Sequence, residues 1–290
     1  MGSEMCIRDS SETDFVAKNA IFQEFVQAVA DKALTVDTEK AGDGEDVVSI
    51  LDMKADLDDK ILKIGEKISI RRFEKVTADV VASYIHGGGR IGVLVAGNGA
   101  SDDAAKEALT NIAMQIAAMN PQYISRDEIS ADELAKMKEI TIDSALNDPF
   151  SLPKPVLSKL IEKAVAGVWS AEDVAIYEEK KSNMNFLPNF LSKEAKAQLA
   201  EIACADKEEI SGNKIFSGLV EGRISKQMKE ICLLDQVYVK AEDGKQTVAA
   251  YLKSVNPALK IAKFVRFEVG EGMEKKNEDF AAEVAKQMNV

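Results

Sequence analysis

The 290 residues include three cysteines, one histidine and one tryptophan, and each scarcity removes a class of function. Cys6, Cys204 and Cys232 are odd in number, far apart and without C-x-x-C spacing, which excludes a disulfide framework and a thiolate zinc site and fits a reducing compartment. His86 has no second histidine to work with and no Ser or Cys nucleophile motif beside it, so a turn or interface role stands against a general-base role. H-E-x-x-H, EF-hand and P-loop patterns are missing, as is a strand-led G-x-G-x-x-G, so neither metal nor cofactor is expected. No apolar run approaches the roughly 18 to 20 residues that cross a bilayer, and no charged leader precedes an apolar segment; the expectation is a soluble, cytoplasmic protein. Basic residues are also in short supply, 37 against 49 acidic for a net charge of −12, which disfavours direct nucleic-acid binding and favours a protein partner or small ligand.

What the chain has is a 46% hydrophobic composition, enough to bury a core, and clear periodicity. Residues 1–10, MGSEMCIRDS, lack a pattern and read as a vector-derived or misassembled leader outside the fold. From Asp14 to Leu34, Phe15, Phe22, Phe25, Val26 and Val29 recur at three- and four-residue steps, which predicts an amphipathic helix with Asp14-Phe15 at its tip. Residues 47–64 read as a helix and 67–76 as a strand. Two β-rich runs, 80–85 and 91–96, flank His86-Gly87-Gly88-Gly89-Arg90, a hairpin signal. A helix follows, capped by Ser101 or Asp102, with Leu109, Ile112, Ile116 and Met119 as its stripe and Asn120-Pro121 as its end. Residues 248–255 read as a helix that leads into a strand over 260–269.

Ile-Arg-Arg-Phe-Glu at 70–74 and Val-Arg-Phe-Glu at 265–268 both follow a helix and a short turn, which predicts a diverged internal duplication. The second copy has a hairpin before its first helix, so the first copy should have one ahead of Thr13; none is read there, and lost sequence is favoured over a genuinely short first sheet. Between the second copy's first helix and last strand lies an insertion, roughly 130–235. Ser130-Ala-Asp-Glu133 is a capping box opening one helix, and Phe216, Val220, Ile224, Met228 and Ile231 trace a stripe on another. These two would pair as an antiparallel arm. Pro149, Pro153, Pro155 and Pro188, with Ser170 and Ser192 as caps, divide 148–212 into short helices.

The chemistry-bearing motifs each have a plain structural reading beside the functional one. Asp14-Phe15 sets a carboxylate where the helix dipole favours it, although residue chemistry alone favours Thr13 or Asp14 as a simple cap with Phe15 as a core aromatic. Gly87 to Gly92 precedes a strand rather than a helix, so a hairpin turn fits better than a phosphate cradle. Gly218 and Gly222 share one helix face and could admit a partner backbone or let the paired helix approach, with Arg223 as a solvated charge. Met114, Met119, Met137 and Met228 read as core packing.

Six pieces together resemble one family. Thr13-Asp-Phe-Val-Ala-Lys-Asn19, Ile68-Ser-Ile-Arg-Arg72, Tyr84-Ile-His-Gly87 with Arg90-Ile-Gly-Val-Leu-Val95, Ile112-Ala-Met-Gln-Ile-Ala-Ala118, Val220-Glu-Gly-Arg223 and Arg266-Phe-Glu-Val-Gly-Glu-Gly272 occur in the order seen in the bacterial elongation factor Ts family. The resemblance covers roughly 11–147 and 213–290. It implies an α+β fold with two similar subdomains, each with a small antiparallel sheet, plus a long helical coiled-coil arm insertion. The implied boundaries are 1–10 leader; 11–78 an incomplete first subdomain; 79–129 with 236–272 the second; 130–235 the arm, with extra helices at 148–212; and 273–290 a C-terminal helical module. The implied function is guanine-nucleotide exchange on elongation factor Tu during translation elongation, without covalent chemistry. The implied contact residues are Thr13, Asp14, Phe15 and Val16 at the helix tip beside the partner's magnesium and phosphate region, Ile112, Met114 and Gln115 on a second helix, and Arg223.

Three departures qualify the resemblance. Gln115 stands where many members have His and cannot titrate. The insertion at 148–212 enlarges the arm. The family's N-terminal three-helix module and first hairpin have no counterpart ahead of Thr13, which implies weaker partner binding and leaves, as the alternative, an elongation factor Tu-binding protein with little or no exchange activity.

Overall fold

The computed structural model describes residues 2–10 by backbone, and residues 16, 18–42 and 46–271 in full. Thr13, Asp14, Phe15 and the C-terminal module expected at 273–290 lie outside the described residues. The chain forms two compact units, Met1–Asn120 with Tyr238–Val290, and Pro121–Val237.

Two three-stranded antiparallel sheets organise the first unit. β1 (Gly2–Ser10), β2 (Lys40–Ala41) and β3 (Ser69–Ala78) lie in the order β1-β3-β2. β4 (Val80–His86), β5 (Ile91–Asn98) and β6 (Lys260–Glu268) lie in the order β4-β5-β6. The α+β class with two similar small sheets is therefore as the sequence implied. Register agrees with the duplication: Glu74 lies opposite Cys6 as Glu268 lies opposite Ile91, and Arg72 opposite Arg8 as Arg266 opposite Val93. β1 thus takes beside β3 the place that β5 takes beside β6. This corrects the reading that set residues 1–10 outside the fold and left no strand ahead of Thr13. A ten-residue strand with an open edge offers a row of N–H and C=O groups, and the proline-free stretch Gly2–Ser10 pairs with them.

Helix α1 (Ala20–Thr35) begins later than the sequence pattern placed it. Asn19 is extended, with φ −75° and ψ 128°, and its Oδ1 accepts from the Ile21 N–H at 2.8 Å, so this side chain sets the helix start. Phe22, Phe25, Val29 and Ala33 then fall on the buried face. The single helix expected over 47–64 is two, α2 (Val47–Ile50) and α3 (Lys54–Ile64). Asp52 adopts a left-handed φ of 51° between them, and the break lets Leu51 and Met53 both enter the core.

The β4–β5 hairpin turns on Gly87, Gly88 and Gly89, all at positive φ (61°, 66° and 96°), the conformation the glycine run permits. Helix α4 (Asp103–Met119) starts where Asp102 accepts from the Ala105 N–H at 2.7 Å, and ends at left-handed Asn120. It packs closely on the second sheet; a Cβ at Gly97 would lie 2.9 Å from a Leu109 methyl. Leu109, Ile112 and Ile116 are fully buried, whereas Met119, expected in the same stripe and in the core, is 47% exposed at the last position of the helix. Helix α11 (Val248–Val255) leads into β6 and packs on α4. Val76, Ala78, Val81, Leu94, Ala96 and Val265 form a cluster drawn from both sheets. Beside it, the Arg72 guanidinium lies 4.4 Å from the Phe267 ring centroid and donates to Glu271 at 2.9 Å, while Lys263 pairs with Glu74 at 2.6 Å.

The second unit is helical: α5 (Ala131–Asn147), α6 (Lys154–Val165), α7 (Ala171–Lys180), α8 (Lys193–Ala205), α9 (Lys207–Ser211) and α10 (Lys214–Ile231). The capping box is complete, with Glu133 N–H donating to Ser130 Oγ at 3.2 Å and Ser130 N–H to Glu133 Oε2 at 3.0 Å. α5 and α10 pack on each other, and Phe216, Val220 and Met228 of the predicted stripe are buried. Over residues 131–140, however, α5 is exposed except for half-buried Met137, with Ile140 68% exposed, so it offers no matching seam there. The unit's core gathers instead where α6 to α9 close around Leu160, Ile161, Trp169, Leu187, Leu199 and Phe216. Among the described residues no helix is long and apolar enough to cross a membrane.

Candidate functional site

Between β1 and α1, the described residues include one buried anchor, Val16. Val16 has helical backbone and is 4% exposed, inside the cluster that holds Phe22, Phe25 and Phe73. The Asn19 N–H donates to the Val16 carbonyl at 2.9 Å, so the chain turns between this anchor and the first residue of α1. Val16 thus belongs to the core; Thr13, Asp14 and Phe15, immediately ahead of it, lie outside the described residues.

Helix α4 holds the second group. Ile112 and Gln115 have no exposed surface, and Met114 is half-buried. Gln115 Oε1 accepts from the Val239 N–H at 2.7 Å. One turn earlier on the same helix, Asn111 donates from Nδ2 to the Tyr251 hydroxyl at 2.9 Å and accepts at Oδ1 from Lys240 Nζ at 2.7 Å. Tyr251 stacks on Tyr238, with centroids 4.1 Å apart and planes within 13°. Burial, followed by a hydrogen bond from Tyr251, pushes the Tyr238 hydroxyl well above the usual phenol range, so it stays protonated. Tyr238, Lys240, Asp243, Lys245 and Thr247 line an open groove beside α11. The sequence reading missed Asn111, Lys240 and the tyrosine pair. The available signal was two amides, Asn111 and Gln115, at i and i+4 in an apolar helix, a spacing that sets them on one face.

In the helical unit, Arg223 is half-buried on α10. Gly218 and Gly222, read as places where a paired helix could come close, are exposed, and a Cβ built on either meets nothing within 4 Å. The paired helix packs elsewhere. His86 sits on the exposed hairpin with its Nδ1 3.0 Å from the Tyr84 hydroxyl, and the glycine loop is a turn. Among the described residues there is no group of three or more His, Cys, Asp or Glu side chains placed to hold a metal ion. The described geometry can present surfaces and hold them in position; it assembles no nucleophile with a base.

The fold and these surfaces define a two-sheet α+β protein with a helical unit inserted into its second half. The family described as Elongation factor TS matches residues 12–271. Elongation factor Ts of Clostridioides difficile (strain 630) is 38% identical over 285 aligned residues, covering 96% of this chain and 74% of the relative. Those of Clostridium novyi (strain NT) and Halothermothrix orenii (strain H 168) are each 34% identical, covering 96% and 97% of this chain respectively and 74% of each relative. The chain belongs to the elongation factor Ts family.

Proposed function

We propose that the chain is a guanine-nucleotide exchange factor for elongation factor Tu, acting in translation elongation by binding the partner and speeding GDP release. Membership of the elongation factor Ts family, over residues 12–271, carries this reading. The action is differential binding: a factor that prefers the partner conformation holding nucleotide poorly weakens nucleotide binding by the same coupling free energy with which nucleotide weakens the factor. No covalent step and no bound metal of the factor's own is needed.

In the proposed mechanism, Asp14 and Phe15 form the tip that enters the partner near its magnesium and phosphates. Phe15 is the wedge, and the Asp14 carboxylate disturbs the polar network around the ion. Thr13 and Val16 flank them. Support comes from their position: the tip directly precedes the buried Val16 anchor and the Asn19-capped helix, a rigid base for a wedge. Met114 and Arg223, each half-buried, remain proposed contacts, while fully buried Ile112 and Gln115 act through the surface they support.

The test is release of fluorescent GDP from elongation factor Tu with the wild type and with Asp14→Ala/Phe15→Ala. Acceleration by the wild type that drops at least tenfold in the double variant supports both function and tip. Stable complex formation without faster GDP release selects the non-exchanging alternative.

A further inference from the structure

We propose that Gln115 is a positioning residue: from inside helix α4 it fixes the Tyr238–Thr247 turn, so that turn and helix meet the partner as one rigid element. The functional half of this statement rests on the exchange reading above.

The turn has no helix or strand of its own. Tyr238 N–H donates to the Gln246 carbonyl at 2.9 Å, and Asp243 Oδ1 accepts from the Lys245 and Gln246 N–H groups, both at 2.9 Å; these bonds close the turn on itself. What fastens it to α4 is separate. Gln115 takes the Val239 N–H, Asn111 takes the Lys240 ammonium, and Tyr238 stacks on the Tyr251 ring whose hydroxyl Asn111 also holds.

Gln115 is the informative member. A primary amide occupies a site with no exposed surface, flanked along the helix by Ile112 and Ile116, equally buried. An apolar side chain of similar size would avoid the cost of burying that amide. Its Oε1 takes the backbone N–H of Val239, a residue whose remaining surface is half exposed, so the bond ties a surface turn to the buried face of the helix. The bond therefore sets where the turn sits, the role of a buried polar group that specifies one arrangement among several of similar packing.

Hydrogen-exchange protection of residues 238–246 and GDP release from elongation factor Tu test this together, in Q115M, Q115H and N111A. Q115M keeps the volume and removes the acceptor; we expect Val239 protection to fall about tenfold, the order expected for one lost buried hydrogen bond, and GDP release to slow severalfold. N111A removes the half-buried amide that holds Lys240 and the Tyr251 hydroxyl, with far-UV circular dichroism confirming that the variant is folded; it should loosen Lys240 and its neighbours in the same sense. Q115H supplies an imidazole that accepts the N–H when neutral and cannot when protonated. Its Val239 protection factor should match wild type at pH 7.5 and drop toward that of Q115M by pH 5. Lys240, Glu107, Tyr238 and Tyr251 also face this region, so wild type and Q115M are run over the same pH range to account for them. Unchanged Val239 protection in both Q115M and N111A overturns the positioning role, and so does full exchange activity in a variant whose turn is loosened. If the wild type itself fails to release GDP, the exchange reading fails, and partner affinity measured against the same protection factors decides the positioning claim.

Discussion

Replacing Asp173 should unlock the helical unit in a way that its single tryptophan reports. Asp173 is buried at 6% exposure, and its carboxylate joins two helix starts. Oδ1 accepts from the Ser192 N–H at 3.0 Å, and Oδ2 accepts from the Ser170 and Ser192 hydroxyls at 2.7 and 3.0 Å. Ser170 caps α7 and Ser192 caps α8, so one side chain orders both caps. Hydrogen bonds to a charged group contribute about 1.5–3 kcal/mol each when removal leaves partners unpaired. Ser170 and Ser192 are themselves exposed, so water would take up part of the loss in D173A. The expected cost is therefore about 2–3 kcal/mol, well below the sum. With a urea slope of about 1.5 kcal/mol/M, the midpoint falls by roughly 1.3–2 M. Trp169, next to the cap and bonded to the Ala195 carbonyl at 2.9 Å, makes fluorescence a readout of this unit. The bond from the Ser192 backbone, then the two hydroxyls, holds the carboxyl below its usual pKa despite burial. A group whose pKa is lower folded than unfolded adds stability that is complete above the unfolded value, about 3.9, and is lost as pH falls through the folded one. Wild type should therefore lose stability at the Trp169 probe as pH drops below about 4, and D173N, which cannot ionise, should lack that component. A D173A midpoint within about 0.3 M of wild type would refute the double-cap account.

Two further outcomes follow from other parts of the molecule. G218A and G222A should each stabilise the helical unit by about 0.5–1 kcal/mol, because the new methyl meets open space and alanine favours the helix; unchanged or lower urea midpoints by Trp169 fluorescence would count against it. V16A removes two methyl groups from a 4% exposed site, so unfolding followed by circular dichroism should show a loss of about 1–2 kcal/mol. On the proposed mechanism GDP release should fall as well, at temperatures where V16A is folded, and full activity there would show that the anchor does not steady the tip.

Much of the fold was legible because it depends on near neighbours. The hairpin at Gly87–Gly89, the Asp102 cap with the Leu109, Ile112 and Ile116 stripe, and the Ser130–Glu133 box are each decided within a few residues, and each stands where its pattern put it. β1 was illegible for the opposite reason. Its pairing is with residues 69–78, and a nine-residue stretch without alternation gives no local sign that β3 has an edge to fill. The break at Asp52 escaped because a residue able to adopt a left-handed conformation does so only when Leu51 and Met53 are both drawn inward. In the candidate site, periodicity identified the helix carrying Ile112 and Gln115. It gave the apolar face, but not that Gln115, read as a contact residue, is buried and bonded to the remote 238–247 turn.

The placement of these residues changes what contact means for the proposed function. Val16, Ile112 and Gln115 occur in motifs that the resemblance assigns to partner binding, yet all three are buried at 4% exposure or less. Buried side chains contribute to binding by removing alternatives before the partner arrives, which lowers the ordering cost of association. For an exchange factor the requirement is stricter than for a simple binder. The differential free energy between two partner conformations is small beside the total contact energy, and a tip or turn that could adapt to both conformations would bind each and shift neither. Rigid mounting of Asp14-Phe15 on Val16, and of the 238–247 turn on Gln115, would meet that requirement. The motifs that mark this family in the sequence are, on this reading, as much the mounting as the tool.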